Sequence, residues 1–314
     1  MGVPVAASGL VELNELVSVT REKYAQCIDV VDHSETIDGI DVTTRMHHLK
    51  FDGNGTPMIE SLAECLYLQI IHYCLAARNR PESLTPEDAT RLTKEARKLF
   101  IHPPATPDDP DQTGEAGEIL LYFLIEAVLG APQVVCKMDL KTNRRDEVKG
   151  SDGIHMQWCD DDECVDVYFG EAKLFQDVGS AMTKAIESID SFYANDMRRH
   201  EFKMVTKHFK YSGADVREAV THLLANGVPN ERTRVKHACL IGYNWNEFGS
   251  LPKLSAAQLT AEFKRRYQSD APRLHGLLQK RFDGFGRNEL IFELFFLPFP
   301  KVQDLRDAFN KALD

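Results

Sequence analysis

The stretch KGSDGIHMQWCDDDECVDVYFGEAK, Lys149 to Lys173, constrains the fold more than any other part of the chain. It reads as two strands joined by an acidic turn at Asp161-Asp162. With the turn there, Cys159 opposes Cys164 and Asp152 opposes Glu171. Opposed residues of an antiparallel pair share a face, and that face repeats every second residue. One face then pairs Trp158 with Val165, Met156 with Val167 and Ile154 with Phe169. The other pairs Gln157 with Asp166, His155 with Tyr168 and Gly153 with Gly170. The first set is wholly apolar and the second polar or small, and a slip of one residue would destroy that segregation. The pattern therefore predicts a β-hairpin with one face turned to a core.

Continued one step further, the apolar face meets Asp152 opposite Glu171, and two residues past Glu171 comes Lys173. Two carboxylates and an ammonium thus stand at one end of a core-facing ribbon, the carboxylates about 5 Å apart at Cβ. Like charges so close repel, and their burial costs several kcal/mol per ion without compensation. A divalent cation would relieve them. Hard oxygen donors in a partly dry pocket suit Mg2+ or Mn2+, which bind through one or two carboxylates and keep waters or substrate phosphates as further ligands. Such a metal polarises a phosphoryl oxygen and lowers the pKa of bound water. A neighbouring lysine can orient or activate that water and offset developing negative charge. The competing reading leaves Asp152 in solvent past the sheet edge, with Glu171 and Lys173 as a surface pair worth little.

The rest of the sequence narrows the field. The longest apolar runs, Ile119 to Ile125 and Ile291 to Phe299, are too short to cross a bilayer. The start, MGVPVAASGLVELNELV, has neither a basic region nor a sustained apolar core, so no secretory signal is read. Seven scattered cysteines do not form a disulfide framework, and Cys159 and Cys164 read as hairpin residues; the expected compartment is the cytoplasm. A net charge of −11 argues against indiscriminate coating of nucleic acid. One local basic track remains: Met197 to Lys210 carries Arg198, Arg199, Lys203, Lys207 and Lys210 against Glu201 alone. It fits either a solvated helix face or a phosphate track beside an active site.

Along the chain, VTTRMHHLKF reads as a strand before a turn at Asp52 to Pro57. Met58 to Leu75 carries a helical apolar stripe, and Thr85, Pro86 and Asp88 open another helix with a cap, a first-turn proline and a capping-box acid. The segment HPPATPDDPDQTG, His102 to Gly114, cannot hold a helix or central strand and reads as a connector. It divides an N-terminal α+β region, 1–105, from a main domain, 106–314. Beyond it the pattern predicts a helix capped by Thr113 and ended by Gly130 and Pro132, a strand from Gln133 to Leu140, then the hairpin. An amphipathic helix over Asp177 to Tyr193 follows, with strands at Val235 to Tyr243 and Glu289 to Leu297 and a last helix over Val302 to Leu313.

An aspartate answered across a hairpin by Glu-x-Lys, here Asp152 and Glu171-Ala172-Lys173, resembles the PD-(D/E)xK nuclease superfamily. Gly150-Ser151 stand where that signature can carry proline. The resemblance implies a restriction-endonuclease-like α/β fold, a mixed sheet flanked by helices, with a helix before the first strand often adding an acid. Glu118, in GEILLYFLIE, shares a face with Leu121, Tyr122 and Ile125 and is the candidate; Glu115, one turn earlier, is its rival. A narrower resemblance, over Thr113 to Tyr193, is to the HamA family, nuclease subunits of Hachiman anti-phage defence systems. It rests on GEILLYFLIE, KGSDGIH, GEAKLF and the helix start Asp177-Val-Gly-Ser-Ala.

That resemblance implies a DNA nuclease in the bacterial cytoplasm working with a superfamily-2 helicase partner, HamB. The nuclease would be restrained in the complex and released when the helicase engages invading DNA. The site residues expected are Asp152, Glu171 and Glu118 as ligands of Mg2+ or Mn2+, with Lys173 serving the attacking water. Two alternatives stay open: a catalytically silent subunit that binds DNA or a partner, and a stand-alone restriction-type endonuclease. His155 reads as a cross-strand partner of Tyr168 rather than a base, and Lys149 and Lys184 as solvated lysines. The chain carries no Walker loop, HExxH or zinc-finger spacing.

Overall fold

The computed structural model describes residues 10–81, 83–100, 114–141, 150–224, 231–252 and 254–314. The chain opens with α1 (Arg21–Cys27), β1 (Ile28–Val31) and β2 (Asp41–Leu49), followed by α2 (Ile59–Tyr67), α3 (Ile70–Cys74) and α4 (Pro86–Arg97). Next come α5 (Glu115–Leu124), β3 (Gly153–Cys159), β4 (Cys164–Phe175), α6 (Val178–Ala194), α7 (Met197–His208) and α8 (Ala214–Leu223). The chain finishes with β5 (Thr233–Asn244), α9 (Ala256–Phe282), β6 (Ile291–Phe299) and α10 (Val302–Leu313).

The strands form one mixed sheet in the order β1-β2-β6-β5-β4-β3, flanked by helices, the α/β architecture expected. The hairpin pairs are antiparallel, while β4, β5, β6 and β2 run parallel. Because β2 pairs with β6, one sheet holds strands from both sides of the division read between residues 105 and 106.

Both faces of the sheet are covered, as parallel strands require. Helices α1 to α5 and α10 pack on one face around Leu62, Tyr73, Leu121, Leu240, Phe295 and Phe309. Helices α6 and α9 pack on the other, around Met182, Ile189, Phe263, Tyr267, Ile241 and Phe296. A third cluster joins the apolar face of the hairpin to α7 and α8 through Phe202, Val205 and Val220.

Double coverage corrects one implication of the hairpin pattern. The polar face is buried too, so Asp166, Tyr168 and His155 are each enclosed beneath the α5 side. Asp166 is balanced there by Arg234 at 2.6 Å and Lys236 at 2.7 Å. His155 pairs with Tyr168 as read, and its Nδ1 meets the carbonyl of Ala131 at 2.9 Å.

Three further expectations are revised. Met58 to Leu75 is not one helix: the turn at Leu68-Gln69 separates α2 from α3, with Leu68 left in solvent. Gln133 to Leu140 is not a strand, because Pro132 and the 3-10 turn at Met138–Leu140 interrupt pairing. It instead guards the edge of β3, with Val134 N–H donating to Ile154 O and Met156 N–H to Pro132 O. Lys210 leaves the basic track, being fully buried with its ammonium on Gln133 Oε1 at 3.1 Å and over the ring of Tyr122. Other elements fall where the sequence puts them. Thr85 and Asp88 close the capping box of α4, Asp177 caps α6, and Gly130 ends the α5 segment in the left-handed region. Thr113 and Lys149 lie outside the described residues.

Candidate active site

The hairpin pairs in the predicted register, from Cys159 with Cys164 to Gly153 with Gly170. Asp152 carries the ladder one step on, its N–H donating to Gly170 O at 2.8 Å. There β3 ends while β4 continues five residues further, so that stretch of β4 has no strand partner on this side. The Asp152 carboxylate fills part of that gap, accepting the Ala172 N–H at 2.7 Å.

Around this open end the alternation of β4 sets the chemistry. Gly170, Ala172 and Leu174 face α5, whereas Glu171 and Lys173 face the side of α6. Glu171 is buried, and Lys173 Nζ lies 2.5 Å from its Oε1. Burial pulls the Lys173 ammonium down, but Glu171 and Asp152 outweigh it and hold its pKa above the ordinary lysine value. Burial pushes the Asp152 carboxyl well above the usual range, reinforced by the charges of Glu171 and then Glu118. The Ala172 hydrogen bond and Lys173 oppose that rise without cancelling it.

Glu118 reaches the same end from α5. Its pKa is raised by burial and by Glu115, against Lys141 and a hydrogen bond from the Tyr73 hydroxyl to Oε2 at 3.3 Å. The rival Glu115 is committed to Lys141 at 2.9 Å. Glu118, not Glu115, is among the charges that most raise Asp152. Helix α5 can come so near because residue 117 is glycine: a Cβ there would stand 3.1 Å from Leu174 Cγ and 3.5 Å from Ala172 Cβ.

Two supports were not legible as such. Glu201, the lone acid of the basic helix, is fully buried. Its Oε1 takes Lys137 Nζ at 2.6 Å and Ser151 N–H at 2.8 Å, fixing the residue before Asp152. Gly150 makes room for it: its φ is +115°, and a Cβ would fall 1.8 Å from Glu201 Oε1. The sequence signal for Glu201 was its isolation among cations. Tyr73 carried none, since its helix lies far from the motif in sequence. Lys184 is exposed and paired with Glu187 at 2.8 Å.

The donor set is all oxygen and anionic, and the raised pKa of Asp152, driven by burial and then by Glu171 and Glu118, marks a place where positive charge is wanted. That fits a hard divalent cation. The three carboxylates are not drawn into a triad with all donor atoms within 4.8 Å of one another. Beside them, at the carboxyl ends of β4 and β5, runs a groove of about 480 Å³ lined by Lys173, Gln176, Asn244, Lys301 and Arg306. The carboxyl ends of parallel strands are where open α/β sheets ordinarily take ligands. Among the described residues no helix is long and apolar enough to cross a membrane.

Among known proteins, the model of the HamA family matches residues 24–313, nearly the whole chain. No curated protein matches it.

Proposed function

The chain belongs to the HamA family, whose role in anti-phage defence membership supports, and from that premise we propose that it is the metal-dependent DNA nuclease of a Hachiman system. It would act in the bacterial cytoplasm with a superfamily-2 helicase partner, HamB. The observation that carries the reading is the meeting of Asp152, Glu171 and Lys173 at the open end of the β3–β4 hairpin, with Glu118 arriving from the other face.

Asp152, Glu171 and Glu118 would hold Mg2+ or Mn2+, which when bound supplies Lewis-acid polarisation of the phosphoryl group and a more acidic water. The chain's own groups do the positioning. Glu171 fixes the Lys173 ammonium, which keeps its proton at neutral pH and so acts as a donor. A donor there orients the attacking water and counters charge growing on the phosphate. Asp152 is held by the β4 backbone and by the Ser151–Glu201 anchor behind it. Lys301 and Arg306 give the groove a positive wall for the DNA backbone.

The test is a plasmid incubated with Mg2+, with and without the helicase partner. Progressive degradation by the wild-type chain, lost in Glu171→Ala/Lys173→Ala with unchanged circular dichroism, is the expected result. Cleavage retained by the double variant would overturn the assignment. Discrete fragments would point to a restriction-type enzyme, and intact plasmid in every arm to a silent binding subunit.

A further inference from the structure

We propose that His33, Glu35 and His275 form a second metal site, selective for Zn2+, that clasps the β1–β2 connection to α9. It stands apart from the acidic site. The cluster packs by β2, three strand spacings from β4, about 14 Å across the sheet.

His33 and Glu35 sit in the connection between β1 and β2, and His275 on the buried face of α9. One donor atom from each, imidazole nitrogen or carboxylate oxygen, lies within 4.8 Å of the other two. Hydrogen bonds prepare both rings. His33 Nε2 is 3.1 Å from the carbonyl of Thr44, and His275 Nδ1 is 2.8 Å from the carbonyl of Ala271. A carbonyl only accepts, so each of those nitrogens carries a proton, and in the neutral imidazole the other nitrogen presents its lone pair. This is how metal-bound histidines are commonly oriented, with the second nitrogen donating to a carbonyl or carboxylate.

The unpartnered nitrogen of His33 points to a cation. His33 Nδ1 is buried with no hydrogen-bond partner, in a side chain only 10% exposed, and faces Glu35 Oε2 at 3.5 Å. A lone pair set against a carboxylate is repulsive unless positive charge lies between them. The separation suits an ion: zinc bonds of about 2.0–2.1 Å in a tetrahedron put neighbouring ligand atoms about 3.3 Å apart. His275 Nε2 meets the hydroxyl of Thr44 at 2.8 Å, a contact that rotation of one side chain releases. Two neutral imidazoles with one carboxylate form a zinc donor set, whereas Mg2+ and Mn2+ favour oxygen.

The other compact cluster among the described residues, Cys159, Cys164 and Asp166, does not compete. Asp166 is already neutralised by Arg234 and Lys236, whose charges would repel an incoming ion.

Full-length protein stripped with chelator is titrated with Zn2+ against a colorimetric chelator, with Mg2+ as the control ion. Wild type is expected to take up one equivalent of Zn2+ that competes with the dye. His33→Gln and Glu35→Gln should each weaken that uptake by at least about tenfold, since removing even a group that only orients a ligand costs about 10–100-fold. Both lie off the regular elements, so their folding is checked by a melting curve without metal. Cys159→Ser/Cys164→Ser and Glu171→Gln should bind Zn2+ as wild type does, placing the ion away from the thiols and the acidic site. The proposal is overturned if wild type takes up no Zn2+, or if His33→Gln and Glu35→Gln bind it undiminished.

Discussion

Replacing Asp152 by asparagine should stabilise the metal-free protein while removing its response to Mg2+. Asp152 lies near enough to Glu171 for that charge to raise its pKa, and two charges about 5 Å apart repel by about 3 kcal/mol at an effective dielectric of 20. Glu118 adds to the repulsion and Lys173 subtracts from it. The Ala172 N–H bond survives in the variant, because the asparagine carbonyl can accept it, losing about 1 kcal/mol of charge assistance. The linkage has a definite sign. A carboxyl whose folded pKa is raised contributes stability below its unfolded pKa and loses it as pH rises through the folded value, so above its unfolded pKa Asp152 is a liability to the metal-free fold. The balance is a gain of about 1 kcal/mol for Asp152→Asn, or about 1.5 °C in Tm for a chain of 314 residues at about 2.1 cal/mol/K of unfolding entropy per residue. Mg2+ at a hundredfold its Kd should stabilise wild type by about 2.7 kcal/mol and the variant by far less, inverting the order. Calorimetry in EDTA and in Mg2+ measures both. A variant that melts lower than wild type in EDTA, or that gains as much from Mg2+, would refute the argument.

Glu201→Ala strands the Lys137 ammonium and frees Ser151, so it should cost about 3–5 kcal/mol in urea denaturation and depress DNA cleavage; a loss under 1 kcal/mol would count against the anchor. Gly117→Val drives a side chain into Leu174, with an expected cost of about 1–3 kcal/mol and reduced cleavage as α5 is pushed from β4; unchanged melting and activity would show the approach is not tight. Burial pushes His47, His155 and His237 each down to about 3, so they stay neutral in the fold. Their contribution is whole above the unfolded value of 6.5 and is lost as pH falls toward 3, at about 1.4 kcal/mol per unit per histidine. The urea midpoint should therefore drop steeply from pH 6.5 to 5, and a flat profile there would contradict it.

The hairpin was legible down to its register because a one-residue slip would have put Trp158, Met156 and Val167 on the polar side. Residues 178–194 and 302–313 were legible from their apolar spacing and, for the first, from the Asp177 cap. What stayed hidden depended on distance along the chain. Sequence cannot show that β2 pairs with β6, that Tyr73 bonds Glu118, or that Glu201 closes over Gly150. Lys210 misled because a lysine among lysines reads as solvated, yet it is held by Gln133 and two aromatic rings. His33 and His275 lie too far apart for any spacing rule to join them.

The site's position follows from how a doubly covered sheet can be opened. Successive residues of β4 point to opposite faces, so Glu171 and Lys173 belong to the side of α6, while an acid on α5 belongs to the other. Within the sheet the backbone separates the two sets, and no ion could touch both. Only where β3 stops short does the barrier end, and there Asp152 turns its carboxylate onto the bare N–H of Ala172, between the two faces. Extending β3 by pairing residues 150–152 regularly with β4 would improve the sheet and close that gap. Gly150, with its positive φ, and Glu201 beneath it prevent this. The chain thus gives up ladder hydrogen bonds and accepts repulsion among carboxylates at one edge, a pattern expected where function rather than stability fixes the residues.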